Sequence, residues 1–188
     1  MGRAGVQGVV ITEHDVLWDR DELVKLNHLI APCRVYRGVE VSTAEGHVVI
    51  IGIDRADTIW AGMPVAELAK VVENEQAAAI WAHPPLDSIQ GPLGANVRNL
   101  SAAIDAVEVF STVTTHEKSL AARVFARKHR LTEVAGSDAH YPEQVGAACT
   151  VFETMPADEK ALAQMIKRGA GHPTRLDGAG PDWKSHVA

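Results

Sequence analysis

Short apolar, β-branched runs alternate along the chain with longer segments in which apolar residues recur every three or four positions. The runs predict strands and the segments predict helices, so the alternation indicates βαβ architecture in the α/β class. Several runs are apolar throughout, which is typical of parallel strands covered by helices on both faces. The predicted strands are Val9–Thr12, Val35–Ser42, Val48–Ile53, Ala78–Ala82, Val107–Ser111, Thr132–Ala135 and Cys149–Phe152. The predicted helices are Arg20–Ile30, Val65–Glu75, Ala95–Asp105, Glu117–Lys128 and Asp158–Lys167.

Capping residues and composition set the boundaries of these elements. Asp19 precedes the first helix and can cap it, and either Thr115 or Thr114 can cap the fourth. The end of the chain is rich in Gly, Pro and polar residues, which indicates a loose segment. The expected organisation is therefore one domain over residues 1–170 and a loose tail over 171–188.

The overall charge restricts the classes of partner. The chain has 188 residues and a net charge of −6, and such an acidic balance argues against a general nucleic-acid coat or a binder of anionic membranes. No apolar run approaches the roughly 18–20 residues of a membrane-spanning helix, and the first residues lack a signal-peptide pattern. Two cysteines are too few for a disulfide framework. No membrane association is therefore expected, and a cytoplasmic location is the default.

Residues whose side chains can bind metal ions follow several of the predicted strands. Loops after successive strands converge at one edge of an α/β sheet or barrel, so these residues are expected to meet there. All of them carry imidazole or carboxylate groups, the ligands that suit Zn, Mn or Fe. A buried cluster of this kind without a cation would hold unpaired charge, so a metal is the simplest partner. The positions are His14, Glu40, His83, Asp138 and His140.

Four short motifs surround these positions in order: Thr12-Glu13-His14-Asp15, Gly38-Val39-Glu40, Ala82-His83-Pro84 and Gly136-Ser137-Asp138-Ala139-His140. They resemble the T-[DE]-H-D, G-x-E, A-H-P and G-S-D-A-H motifs of the PHP (polymerase and histidinol phosphatase) superfamily. The run Val107-Glu108-Val109-Phe110 also resembles the strand that this family places between the last two motifs. One such motif alone would be weak evidence, whereas four in order over roughly residues 5 to 170 are specific.

The resemblance implies a distorted (β/α)7 barrel that holds two or three divalent metal ions, often Zn, Mn or Fe. By the same resemblance Glu40 would bridge two metals, Asp138 would bind the first, and His83 with His47 would hold the second. Glu40, His83 and Asp138 are the implied catalytic residues. The ligands implied for a third metal are His14 and His140.

The chain departs from the family pattern at its start. Family members open with H-x-H on their first strand, and this sequence contains no H-x-H. The expected fold is therefore a barrel that lacks its first strand and helix and leaves a strand edge exposed. Three explanations for the missing H-x-H compete: a mis-assigned translation start, a truncated chain and a genuinely short protein. An incomplete sequence is favoured. We also expect a homo-oligomer, for the sole reason that the exposed strand edge could pair with a second chain.

The predicted function is hydrolysis of a phosphate ester, by a phosphoesterase or phosphatase that uses metal-activated water. The expected substrate is a phosphorylated small molecule or a nucleotide, and monoesters and diesters are not distinguished. A catalytically inactive PHP remnant that serves binding or assembly is the alternative, favoured by the missing H-x-H and disfavoured by the retained ligand-type residues. An amidohydrolase-like C–N hydrolase is a third reading, but the chain offers no candidate for a metal-bridging lysine.

Weaker candidates lie near the motifs. Glu13 or Asp15 could orient the ring of His14 as a hydrogen-bond acceptor, although a solvated loop position accounts for either equally well. Ser137 could contact substrate or simply occupy a turn. Arg98 could bind a phosphate through two hydrogen bonds, but an exposed helix face is the simpler location.

Overall fold

The computed structural model describes residues 5–86 and 100–175. Within these ranges strands and helices alternate, which confirms the mixed α/β prediction. None of the described helices combines the length and the apolar character needed to cross a membrane. The elements are β1 (Gly8–Ile11), α1 (Arg20–Ile30), β2 (Arg34–Thr43), β3 (Gly46–Ile51), α2 (Val65–Asn74), β4 (Ala78–Trp81), β5 (Ala106–Phe110), α3 (His116–His129), β6 (Thr132–Ala135), β7 (Ala148–Phe152), α4 (Glu159–Lys167) and β8 (Gly171–Arg175).

The first six strands form one sheet in chain order, β1-β2-β3-β4-β5-β6. Three neighbouring pairs are parallel, but β3 runs antiparallel to both β2 and β4. The prediction of parallel strands is therefore wrong for β3. Only Ala44 and Glu45 separate β2 from β3, and a parallel connection needs a dozen or more residues, so the chain can only turn back as a hairpin.

Both faces of this curled, half-barrel sheet are buried. On one face α4 packs through Leu162, Ala163 and Ile166 against side chains from β2 to β6. On the other face α2 and α3 cover a larger core that includes Val39, Val41 and fully buried residues of β3. The finer prediction, a (β/α)7 barrel without its first strand and helix, stays a prediction.

Helix caps follow the predicted positions. The carboxylate of Asp19 accepts hydrogen bonds from the backbone N–H groups of Asp21 and Glu22, at 2.8 and 3.2 Å. Of the two threonines, Thr115 is the cap of α3, and its hydroxyl accepts from the backbone N–H of Lys118 at 3.3 Å. These side chains satisfy backbone donors that have no partner within the helix.

The predicted loose tail is wrong for Gly171–Arg175, which form β8. This strand pairs with β7 in a separate antiparallel hairpin. The hairpin is attached to β6 because the hydroxyl of Thr150 donates to the carbonyl of Ala135 and accepts from its N–H, both at 2.9 Å. Backbone pairing of this kind depends on long-range contacts, which composition does not reveal. The rest of the predicted tail, Arg98 and the first half of the predicted Ala95–Asp105 helix lie outside the described residues.

Candidate metal centre

The candidate ligands lie on neighbouring strands at one edge of the sheet. His14 follows β1, His83 follows β4, Asp138 follows β6, and Glu40 lies in the second half of β2. His47 is the second residue of β3, and because β3 is antiparallel, its amino end lies at the edge where the parallel strands end. The hairpin thereby adds a ligand-type residue that a parallel strand would have placed at the opposite edge.

Glu40, His47 and His83 form a tight triangle of donor atoms. Glu40 Oε1 lies 3.0 Å from His47 Nδ1 and 3.0 Å from His83 Nε2, and the two imidazole nitrogens are 3.4 Å apart. A tetrahedral zinc site with bonds of about 2.0–2.1 Å has ligand atoms about 3.3 Å apart. The separations of the three donor atoms are therefore compatible with a shared cation.

His14 is held next to this triangle by backbone pairing. The ladder between β1 and β2 continues past the end of β1, where His14 forms a parallel bridge with Glu40. The backbone N–H of Glu40 donates to the carbonyl of Glu13 at 3.1 Å, and that of Asp15 donates to the carbonyl of Glu40 at 2.9 Å. As a result His14, Glu40 and His47 each offer a ligand atom, and these atoms lie within 4.8 Å of one another.

The flanking carboxylate of Asp15 has a role that the sequence did not suggest. Its Oδ1 accepts a hydrogen bond from the backbone N–H of Ser42 at 2.9 Å, and its backbone is left-handed with φ of 57°. The side chain therefore ties the loop after β1 to the end of β2. This contact differs from both expectations, the orientation of His14 and a solvated position.

The electrostatics of Glu40 reflect its imidazole neighbours. Burial by itself would raise the pKa of this carboxyl, but the hydrogen bond from His83 and the charges of His83, His14 and His47 outweigh burial and lower the pKa. The pKa of His83 is raised, mainly by its hydrogen bond to Glu40 and against the effect of burial. The hydrogen bond between the two groups thus favours the carboxylate form of Glu40 and the protonated form of His83, and a bound metal would compete with that proton.

Glu108 is a buried carboxylate at the site that the sequence analysis did not single out. It lies in β5, is only 8% exposed, and accepts a hydrogen bond from the backbone N–H of His83 at 2.8 Å. Burial raises the pKa of this carboxyl to about 8, although that hydrogen bond opposes the shift. The sequence did contain one signal for Glu108. It is the single acidic residue in the apolar run from Ala106 to Phe110, and a buried charge there is costly unless it has a partner.

Asp138 and His140 lie at the last motif, with different surroundings. The negative charge of Asp138 contributes to the raised pKa values of His83 and Glu108. His140 has a side chain that is 70% exposed, and its Nδ1 lies 3.8 Å from Asp138 Oδ1. The pairing of His14 with His140 at one metal, and a ligand role for either residue of this motif, stay predictions.

Two residues at the site have left-handed backbones that ordinary side chains rarely adopt. His83 has φ of 27° and Asp138 has φ of 49°. Such conformations cost about 1–3 kcal/mol each and persist where surrounding contacts impose them, commonly at functional sites.

Ser137 lies in the turn between Gly136 and Asp138. Its backbone carbonyl accepts a hydrogen bond from the N–H of Thr112 at 3.2 Å, which fits the turn role considered for it in the sequence analysis.

A cavity of about 170 Å³ opens beside the cluster. It is bounded by His83 and Glu108 on the side of the cluster and by the start of α3 on the other. The lining residues are His83, Pro84, Glu108, Val113, Thr114, Lys118 and Ala122.

Comparison with known sequences gives one family match. A family model described as PHP-associated matches residues 117–170, which run from α3 to the end of α4 and beyond. No curated protein matches the sequence significantly.

Solved structures share the fold over most of the chain. A protein named as a metal-dependent phosphoesterase from Bifidobacterium adolescentis is 14% identical with a TM-score of 0.62, and the match covers 89% of this chain and 88% of that one. An amidohydrolase from Chromobacterium violaceum, with bound sulfate and no metal, is 14% identical with a TM-score of 0.60, over 98% and 87% of the two chains. The lesion-specific endonuclease EndoQ from Pyrococcus furiosus is 15% identical with a TM-score of 0.58, over 93% and 52%. At these identities the likeness concerns the fold.

Proposed function

Because the chain belongs to the PHP superfamily, we propose that it is a metal-dependent hydrolase that cleaves phosphate esters with a metal-activated water. The observation that carries the proposal is the triangle formed by Glu40, His47 and His83, with donor atoms 3.0, 3.0 and 3.4 Å apart. Two imidazoles and a carboxylate suit Zn, Mn or Fe, and the buried carboxylate requires a positive partner. The donor set therefore fits a divalent cation.

The residues of the site would have different roles in holding the metal and receiving the substrate. A divalent metal bound here supplies a water of lowered pKa and neutralises charge on the phosphoryl oxygens. Glu40, His47 and His83 would hold it, with the exposed His14 at the solvent side of the group. Asp138, which follows β6, would contribute to a second site together with Glu40, so two or three metals remain part of the proposal. The adjoining cavity would receive the group attached to the phosphate.

Phosphate esters are preferred as substrates for two reasons. One neighbour of this fold is named a metal-dependent phosphoesterase and another an endonuclease, and both names describe cleavage of phosphate esters. The amidohydrolase neighbour contains sulfate, which matches phosphate in shape and carries a similar charge. The net charge of −6 disfavours long nucleic acids. We therefore propose a phosphorylated small molecule or a nucleotide as the substrate.

Two other functions have one observation each in their favour. The absence of H-x-H from the sequence favours an inactive PHP domain that serves binding or assembly. The amidohydrolase neighbour favours C–N bond hydrolysis on the same fold. The experiment below separates both from the phosphoesterase.

The test combines metal content with turnover. We expect the purified chain, loaded with Mn²⁺ or Zn²⁺ and desalted, to retain at least one equivalent of metal by elemental mass spectrometry. We expect the same sample to hydrolyse p-nitrophenyl phosphate or its bis-ester. Glu40→Ala and His83→Ala should lose both properties, because each removes one corner of the donor triangle. His28→Ala, which removes an exposed histidine of α1, is the matched control and should behave as the wild type.

Each alternative predicts a different outcome. Metal binding without turnover of any ester would support the binding module, and turnover of amide but not ester substrates would support the C–N hydrolase. Wild-type metal content and activity in Glu40→Ala or His83→Ala would show that the triangle is not the site.

A further inference from the structure

The carboxylate of Glu108 contacts two of the turns that carry candidate ligands. Its Oε2 accepts the backbone N–H of His83 at 2.8 Å, in the turn after β4. A Cβ added to Gly136, in the turn after β6, would lie 3.0 Å from the other carboxylate oxygen, Oε1. Glu108 itself lies in β5, between the two strands that lead into these turns. One buried side chain thus fills the space between them.

We propose that Glu108 is a positioning residue of the metal centre, which fixes the backbone of His83 so that its imidazole points at Glu40, and that Gly136 is required to make room for it. The inference rests on the proposed function, because positioning has a purpose only if His83 binds metal. Nothing in the inference makes Glu108 itself a ligand, since its Oε2 faces a backbone N–H.

The conformation of His83 explains why such support is needed. Its φ of 27° is one that a side-chain-bearing residue rarely adopts. Among the described residues, the Glu108 carboxylate is the acceptor of the His83 N–H, and its removal would leave this donor without that partner, which is costly where water does not replace it. The turn would then relax, and the 3.0 Å approach of His83 Nε2 to Glu40 Oε1 would be lost.

The packing around Gly136 is a second observation, separate from the conformation of His83, that supports the role of Glu108. Its N–H donates to the carbonyl of Phe110 at 3.2 Å, so the turn lies directly against the end of β5. A contact of 3.0 Å between a new methyl group and Glu108 Oε1 is tighter than most such contacts, so the carboxylate would have to move by a few tenths of an ångström. Gly136→Ala should therefore act on the metal centre through Glu108.

The first measurement uses the full chain without metal. In amide NMR spectra of the apo protein, the His83 N–H should be shifted downfield and protected from hydrogen exchange, as expected for a hydrogen bond to a buried carboxyl. Glu108→Ala should remove both signatures. Glu108→Gln should keep them, because the amide oxygen of glutamine can accept the same hydrogen bond. This readout does not depend on metal binding, so it separates failure of the inference from failure of the proposed function.

The second measurement is metal affinity by calorimetric titration with Zn²⁺ or Mn²⁺. Glu108→Ala should weaken binding about 10–100-fold, the usual effect of removing a group that orients a ligand, and Glu108→Gln should stay within a few-fold of the wild type. Val107→Ala, which opens a cavity at a fully buried neighbour in the same strand, controls for general loss of stability and should keep wild-type affinity.

A double-mutant cycle tests the role of the glycine. Gly136→Ala should weaken metal binding in the wild-type background and have little further effect in Glu108→Ala, where no carboxylate remains to be displaced. Unchanged affinity and an unchanged His83 amide in Glu108→Ala would overturn the inference. So would equal losses in Glu108→Gln and Glu108→Ala, because a glutamine that keeps the hydrogen bond from the His83 N–H would then be no better than alanine. Additive effects of the two substitutions would contradict the role of Gly136.

Discussion

Two buried carboxylates that both contact His83 illustrate how neighbouring groups decide the charge of a side chain. Glu40 and Glu108 are both less than 10% exposed, at 7% and 8%. The pKa of Glu40 is lowered because three imidazoles surround it and outweigh burial. The pKa of Glu108 is raised to about 8 because burial is opposed mainly by a single backbone N–H. Near neutral pH, Glu40 is thus ready to bind a cation, while Glu108 is mostly neutral and serves as a support.

This difference predicts a pH dependence of stability. In the metal-free protein Glu108 keeps its proton up to about pH 8, whereas the unfolded chain releases it near the ordinary value of 4.5. Between these two pH values the folded state binds one proton more than the unfolded state at Glu108. The contribution of Glu108 to the free energy of unfolding therefore falls as the pH rises from 4.5 to about 8. Urea denaturation in EDTA from pH 5 to 8.5 should show this fall in the wild type. Glu108→Gln should make the fall shallower and leave the part that the raised pKa of His83 contributes, and parallel profiles for the two proteins would contradict the raised pKa of Glu108.

At the scale of elements, the β2–β3 hairpin controls the site. It carries Glu40 on one strand and His47 on the other, and Ser42 and His47 are directly paired across the turn. The tight turn needs Gly46, whose φ of 127° is accessible almost only to glycine. A change in this turn therefore acts on two ligand-type residues together.

We expect Gly46→Ala to lower the free energy of unfolding by about 1–3 kcal/mol, the usual cost of a residue forced into such a backbone region. It should also weaken metal binding, because the strain falls on the residue before His47. Asp19→Ala, which removes the cap of α1 and should cost about 1 kcal/mol, is the control. Its metal affinity should stay at the wild-type level in titration calorimetry, and an equal loss of affinity in both variants would argue against a specific role for the hairpin.

For the whole molecule, the metal centre joins strands that are distant along the chain. His14, which follows β1, forms a backbone bridge with Glu40, and His83, which follows β4, contacts the Glu40 carboxylate, so the candidate ligands connect these parts of the sheet. A cation bound to the folded state alone should therefore stabilise the entire described domain and not one loop.

This coupling predicts a metal-dependent melting temperature. Zn²⁺ or Mn²⁺ at about 100 times its dissociation constant should add about 2.7 kcal/mol to the free energy of unfolding, which raises Tm in differential scanning fluorimetry. EDTA should reverse the increase, and Glu40→Ala should show little or none. A Tm that metal leaves unchanged in the wild type would contradict binding at this site.

Local patterns in the sequence were sufficient for much of the fold and of the candidate site. Apolar runs predicted the strands of the main sheet closely, and short side chains next to the helices predicted the caps Asp19 and Thr115. Predictions failed where sequence-distant pairing or strand direction matters, at β3 and at β8. Glu108 was missed as a site residue because its partner, the backbone N–H of His83, has no signature in the sequence.

The sequence by itself determined which chemical groups are present and roughly which strand ends carry them, because hydrophobic periodicity and residue type are local properties. Only the tertiary structure decided which groups meet. It brought His47 to Glu40 through an antiparallel strand, gave Asp15 a partner in Ser42, and placed Glu108 against His83. These contacts depend on strand direction, register and backbone conformation, which are settled only when distant segments pack together and bury their polar groups as pairs.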